Sequence, residues 1–185
     1  MSRVSVVLAA GAARRFGSDK LSARFRGEAL VYHAIRAARA APVERVVVIA
    51  HPALETGVWD GSPAVEVVRL SSGALSETLA AGVRAALGAE GLFVFLGDMP
   101  LVPHDIAGRL AAIIGQAFAA VPRSGGVAGH PVLFAARAFP KLAELTGDTG
   151  AGRLLRDRDD VAYLEADDDA ILRDVDRPED LSALG

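Results

Sequence analysis

The chain has 185 residues, 51% hydrophobic and 23% charged, with a formal net charge of −3 at pH 7, an ordinary globular usage that excludes disorder and a coiled coil and fits one packed domain over residues 1–185. So small an acidic balance supplies no broad basic field, so neither nucleic acid nor an anionic membrane surface is an expected partner and any cationic site has to be local. Cysteine is absent, which removes disulfides, zinc–thiolate sites and thiol nucleophiles together.

Met1-Ser2-Arg3 leads into a short strand with no apolar signal region and no apolar run of bilayer length, so the cytoplasm is the expected location. Val4, Val6, Val7 and Leu8 form that strand. A helix is expected over Ala29–Ala41 with Leu30, Ala34, Ala37 and Ala41 on one face, stopped by Pro42 before a strand at Arg45–Ala50. Val65–Leu70 reads as a further strand, Leu75–Leu87 as a second amphipathic helix, and Leu92–Leu96 as the fully apolar run of a central parallel strand. A helix over Asp105–Ile114 follows, then a strand at Ala117–Val121 that Pro122 is expected to end, and another at Val132–Ala135. Two short helices, a strand at Val161–Leu164 and a helix opened by Pro178 complete the chain, with no repeat, linker or low-complexity tract. This alternation predicts a three-layer α/β domain with a mostly parallel sheet and ligands at the carboxyl ends of its strands.

The segment Leu8-Ala9-Ala10-Gly11-Ala12-Ala13-Arg14-Arg15-Phe16-Gly17-Ser18-Asp19-Lys20 is the first such end. Its small residues let a ligand approach the main-chain N–H groups, and Arg14, Arg15 and Lys20 offer the two cation types that neutralise phosphate oxygens. It is not a P-loop, because Gly17 is followed by Ser18-Asp19-Lys20 rather than Lys-Ser/Thr, and not a dinucleotide fingerprint, because Gly11 and Gly17 stand six apart. A plain strand-to-helix connection with solvated arginines is the bland alternative.

Asp98 leaves the apolar strand at Gly97-Asp98-Met99-Pro100. Alone it reads as a turn cap; facing a triphosphate, a single carboxylate suffices for Mg²⁺, which takes one or two protein carboxylates plus phosphate oxygens. In Asp174-Val175-Asp176, alternate spacing points both carboxylates to one side of an extended segment. Asp176 also stands two residues before Pro178, so an N-cap role for it is equally open. His130 in Gly129-His130-Pro131-Val132 reads first as a hydrogen-bonded turn residue, Asp148 in Gly147-Asp148-Thr149-Gly150-Ala151 as a helix cap, and Ser71, Ser72, Gly73 and Ser76 as donors at the start of the second helix.

In this order and spacing, these segments together with Asp174-Val175-Asp176-Arg177-Pro178-Glu179-Asp180-Leu181 resemble the MobA-like nucleotidyltransferases over nearly the whole chain, most closely the molybdenum-cofactor cytidylyltransferase branch. Ala10 stands where guanylyl-transferring members carry a second glycine. The chain departs from the family at Arg26-Gly27-Glu28-Ala29, where Gly-Arg-Pro is common, at Arg177, where Thr is usual, and at Gly152, where Arg is common.

The resemblance implies a Rossmann-like nucleotide-diphospho-sugar-transferase fold and transfer of CMP from CTP, or of another nucleotide, to the terminal phosphate of molybdopterin, with pyrophosphate released. It implies Arg15, Lys20 and Asp98 as catalytic residues; Leu8, Ala9, Ala10, Gly11, Ala12, Ala13, Arg15, Lys20 and Ser76 as the nucleotide site; Asp98 and Asp176 as Mg²⁺ ligands; and His130 and Asp148 on the acceptor side. Guanylyl transfer, transfer to another phosphorylated acceptor, and a noncatalytic protein that carries molybdopterin to a client molybdoenzyme are the alternatives.

Overall fold

The computed structural model describes residues 1–11, 20–147 and 150–183. Its strands are β1 (Arg3–Ala9), β2 (Arg24–Phe25), β3 (Glu28–Ala29), β4 (Arg45–Ala50), β5 (Ala64–Arg69), β6 (Gly91–Leu96), β7 (Ala119–Ser124), β8 (Val127–Ala128), β9 (Val132–Ala135) and β10 (Val161–Glu165). Its helices are α1 (Leu30–Ala40), α2 (Leu75–Ala85), α3 (Ile106–Ile113), α4 (Phe139–Ala143), α5 (Gly152–Arg156) and α6 (Pro178–Ala183).

The main sheet runs β10-β7-β9-β6-β1-β4-β5, with β8 paired to β7. Neighbouring strands are parallel except where β9 lies antiparallel between β6 and β7 and where β8 returns on β7. The central strands are apolar at consecutive positions because both of their faces are covered. Val7 and Ala9 of β1, Val46 and Val48 of β4, and Phe93 and Phe95 of β6 join a core with α1 and α3. Val4, Val6 and Leu8, Val47 and Ile49, and Leu92 and Val94 join a second core with α2 and α4. The period of two along each strand thus divides one apolar run between two helical layers. Leu30, Ala34, Ala37 and Ala41 are all buried, as their helical spacing predicts.

Gly82 sets how closely α2 lies on β1. A Cβ there would stand 2.7 Å from Val6 Cγ1, and a β-branched core side chain has little freedom to give way. Gly82→Ala is expected to lower stability by about 1–3 kcal/mol in chemical denaturation. Adding Val6→Ala should recover part of that loss through coupling of the two sites; strictly additive losses would refute the contact as its cause.

One sequence expectation changes. Pro122 does not end its strand, since β7 continues to Ser124 and Pro122 pairs with Leu164 of β10. The β9 partnership is already over at Ala120, so a residue without an N–H is tolerated there, and its carbonyl accepts from the Gly129 N–H at 2.8 Å. Arg26-Gly27, where the chain departs from the family pattern, forms the two-residue loop of the β2–β3 hairpin, with φ of 49° and 87°. Positive φ at both loop positions is what the primed hairpin turns require. The Arg26 guanidinium lies over the Phe25 ring.

Candidate functional site

From β1 the chain crosses through α1 to β4 and β5 on one side, and then returns through α2 to β6 on the other side of β1. The order reverses between β1 and β6, and in an open α/β sheet a crevice forms beyond the carboxyl ends of such a pair. The Gly97 N–H donates to the Leu8 carbonyl at 3.0 Å, joining the two exits directly. A Cβ on Gly97 would lie 3.1 Å from that carbonyl oxygen and 3.3 Å from the Ala9 Cβ, so glycine is what permits this closeness. Leu8, Ala9 and Ala10 are buried, Gly11 is exposed, and nothing lies within 4 Å of the direction a Gly11 side chain would take. Ala12, Ala13, Arg14 and Arg15 fall outside the described residues.

Lys20 opens a 3-10 turn over Lys20–Ser22 whose Leu21 is buried. Its Nζ donates to Asp98 Oδ2 at 2.8 Å and to Asp176 Oδ1 at 3.3 Å. These side chains are 78 and 156 residues from Lys20 in sequence. Burial alone draws the lysine pKa down, but the adjacent Asp98 charge, with the hydrogen bonds to Asp98 and Asp176, outweighs it and the net direction is up. The ammonium therefore stays charged.

Asp174 completes the group, with one carboxylate oxygen from each of Asp98, Asp174 and Asp176 within 4.8 Å of the others. Burial first, then the charges of Asp176 and Asp98, raise the Asp174 pKa. The tail reaches this place because Val175 is fully buried and its N–H donates to the Asp98 carbonyl at 3.0 Å, leaving Asp174 and Asp176 on the crevice side. Three hard oxygen donors so close together suit a small divalent cation, and the Lys20 ammonium, bonded to two of the three carboxylates, supplies positive charge beside them.

The two roles left open for Asp176 separate here. Asp180 caps α6 instead, its Oδ2 accepting from the N–H groups of Asp176 and Arg177 at 2.8 and 2.7 Å. This reach back from inside the helix is half of a capping box, legible as an acidic residue two places after Pro178. The Asp176 carboxylate is free to face Lys20.

Gly129 and His130 hold the tail from the other side. The His130 N–H donates to the Ile171 carbonyl at 2.9 Å, and a Cβ on Gly129 would stand 2.3 Å from the same oxygen. Sequence reasoning passed over Gly129 because nothing local marks an approach from 42 positions away in the chain. The His130 ring packs inward with Nδ1 3.5 Å from the Val94 carbonyl oxygen. Burial lowers its pKa, while the Val94 hydrogen bond and the Asp98 charge oppose the shift only in part. The unfolded chain therefore binds a proton more readily than the folded one. His130 should cost stability as pH falls from the ordinary histidine value of 6.5 toward its depressed one. Urea midpoints that drop over that window in the wild type and drop less in His130→Phe are the expected result; equal slopes would exclude it.

Ser76 is 3% exposed in the first turn of α2, and its N–H donates to the Gly147 carbonyl at 3.2 Å. It borders an open cleft of about 660 Å³ lined also by Ser71, Ala74, Glu77, Arg84 and Thr146, separate in its lining from the Asp98 group. Glu77, not singled out in the sequence, accepts from Ser72 Oγ and the Gly73 N–H, both at 3.0 Å. The Gly73 N–H is the main reason its pKa is low. Asp148 falls outside the described residues. Lys20, Asp98, Asp174 and Asp176 are thus brought together, whereas Ser76 lines a separate cleft and His130 packs inward within reach of the Asp98 charge.

The chain belongs to the MobA-like NTP transferase domain family, whose model matches residues 5–162. It is a nucleotidyltransferase-family protein with the nucleotide-diphospho-sugar-transferase fold. Among curated relatives, the purine catabolism protein PucB of Bacillus subtilis (strain 168) is 31% identical over 96% of this chain and 93% of its own length. A protein of Pyrococcus furiosus named "probable molybdenum cofactor guanylyltransferase" is 36% identical over 65% of this chain and 60% of its own. Among solved structures, Rv0371c of Mycobacterium tuberculosis H37Rv superposes with a TM-score of 0.84 at 26% identity over 100% of this chain and 98% of that one. The same protein has been solved in complex with manganese, at a TM-score of 0.79, 27% identity and the same coverage of both chains. Among the described residues, no helix is long and apolar enough to cross a membrane.

Proposed function

We propose that this protein transfers CMP from CTP to the terminal phosphate of molybdopterin. The observation that carries the reading is the meeting of Lys20 and Asp98 at 2.8 Å in the crevice between β1 and β6. One acceptor phosphate oxygen forms a bond to the α-phosphorus as the bond from that phosphorus to the oxygen bridging it to the β-phosphate breaks, and pyrophosphate leaves with the electron pair. The attacking group is already anionic, so no strong general base is needed, and catalysis consists of positioning and charge neutralisation.

Lys20, with Arg15 beyond the described residues, neutralises phosphate oxygens, and the resemblance assigns further donation to the main-chain N–H groups from Ala10 to Ala13, of which Ala12 and Ala13 lie beyond the described residues. Asp98 and Asp176, with Asp174 beside them, would hold Mg²⁺, which when bound supplies Lewis-acid neutralisation of the phosphates. Ser76 borders the nucleotide and His130 and Asp148 the acceptor.

Cytidine is favoured by Ala10 in place of a second glycine and by the Gly-Asp-Met-Pro segment. Guanosine is the second reading, favoured by the naming of relatives such as the Pyrococcus furiosus protein. Incubating the purified chain with molybdopterin, Mg²⁺ and each triphosphate in turn decides between them by pyrophosphate release and product mass. CTP alone should give the dinucleotide. Turnover with GTP alone overturns the base assignment, and CTP binding without pyrophosphate release points to a carrier protein.

A further inference from the structure

We infer that Lys20 is the resident cation of the Asp98–Asp176 site and keeps divalent metal out until a triphosphate draws the ammonium away. The inference rests on the proposed function and adds an order of events to it: nucleotide first, or nucleotide and metal together, but not metal alone.

The geometry is specific. The Lys20 ammonium contacts Asp98 Oδ2 at 2.8 Å and Asp176 Oδ1 at 3.3 Å, two of the three carboxylates that form the candidate metal group. The lysine side chain is 13% exposed and that of Asp98 is 22% exposed, so the pair is shielded from the screening that weakens surface ion pairs. Leu21 is buried beside it, and the Ala23 N–H donates to the Lys20 carbonyl at 3.2 Å, which ties down the main chain from which the lysine projects. A divalent cation entering the group would meet this positive charge within a few ångströms and would have to break both contacts.

A triphosphate changes that balance because its oxygens offer the ammonium new acceptors outside the carboxylate group. Once Lys20 turns to them, the three carboxylates lose their counter-charge and attract the metal that the triphosphate itself carries. The same lysine thus serves as an internal stand-in for the metal at rest and as a phosphate ligand in the loaded site. This also protects the resting site, since three clustered carboxylates without a cation repel one another.

Mn²⁺ titration of the nucleotide-free protein, with free Mn²⁺ read by electron paramagnetic resonance, tests the inference without catalysis. Lys20→Met and Lys20→Gln should bind Mn²⁺ at least about tenfold more tightly than the wild type at low salt, because a unit charge a few ångströms away acts at that scale. Lys141→Met removes an equal charge from the exposed pair with Glu144 and should change affinity by less than about twofold. Thermal melts establish that each variant is folded, and either Lys20 variant suffices. Unchanged or weaker Mn²⁺ binding in a folded Lys20 variant overturns the inference. Asp98→Asn separates this from the functional reading: loss of Mn²⁺ binding there with no gain in Lys20→Met leaves the metal assignment standing, whereas binding indifferent to both variants overturns both.

Discussion

Asp98→Asn is expected to reduce pyrophosphate release by about 10²–10³-fold, the usual loss when one preorganised charge partner is removed from a site of this kind. The substitution keeps the shape of the side chain and an oxygen for Lys20, but not the charge. The fold should survive, because the tail is tied to the Asp98 main chain through the Val175 N–H at 3.0 Å rather than to its carboxylate. Lys20→Ala should lose at least about as much turnover, for the complementary reason that phosphate charge goes unneutralised. Steady-state rates beside far-ultraviolet circular dichroism check both, and a folded variant within tenfold of the wild-type rate would remove that residue from the mechanism.

Among the described glycines, Gly129 should be the one where an added methyl does most damage. The new Cβ would be placed 2.3 Å from the Ile171 carbonyl oxygen and 2.9 Å from its carbonyl carbon. Main chain cannot rotate aside as a side chain can, so the segment between β8 and β9 and the tail must separate, at a cost of about 3 kcal/mol or more. Ile171 and Val175 are both fully buried, and the shift would pass along this stretch to Asp174 and Asp176. Chemical denaturation should show the loss of stability. In whatever fraction remains folded, turnover should require more Mg²⁺ than the wild type, while the CTP concentration for half-maximal rate changes less. A variant as stable as the wild type would show that the two chain segments part freely.

Asp98 and Lys20 stand out in the linear chain because each follows an apolar strand closely enough for its place at a carboxyl end to be read from the pattern of residues. The helical layers were equally readable, since Leu30, Ala34, Ala37 and Ala41 repeat at the helical period and are all buried. Alternation along Asp174-Val175-Asp176 foretold that two carboxylates share a side. It did not say which side, and the choice between capping a helix and facing a lysine stayed open until Asp180 was seen to take the capping role.

Local chemistry along the chain therefore determined the elements, their apolar faces and the residues with charge to offer, because propensity, period and turn chemistry act over a few neighbouring positions. The direction of β9, the persistence of β7 through Pro122 and the grip of Gly129 on Ile171 came from contacts between segments far apart in sequence. So did the union of Lys20 with a carboxylate 78 positions away and another 156 away. A proline is tolerated or rejected according to whether a neighbouring strand needs its missing N–H, and a glycine is required according to which main chain passes over it. Those neighbours are chosen only when the sheet assembles, so they leave no periodic trace in the residues themselves.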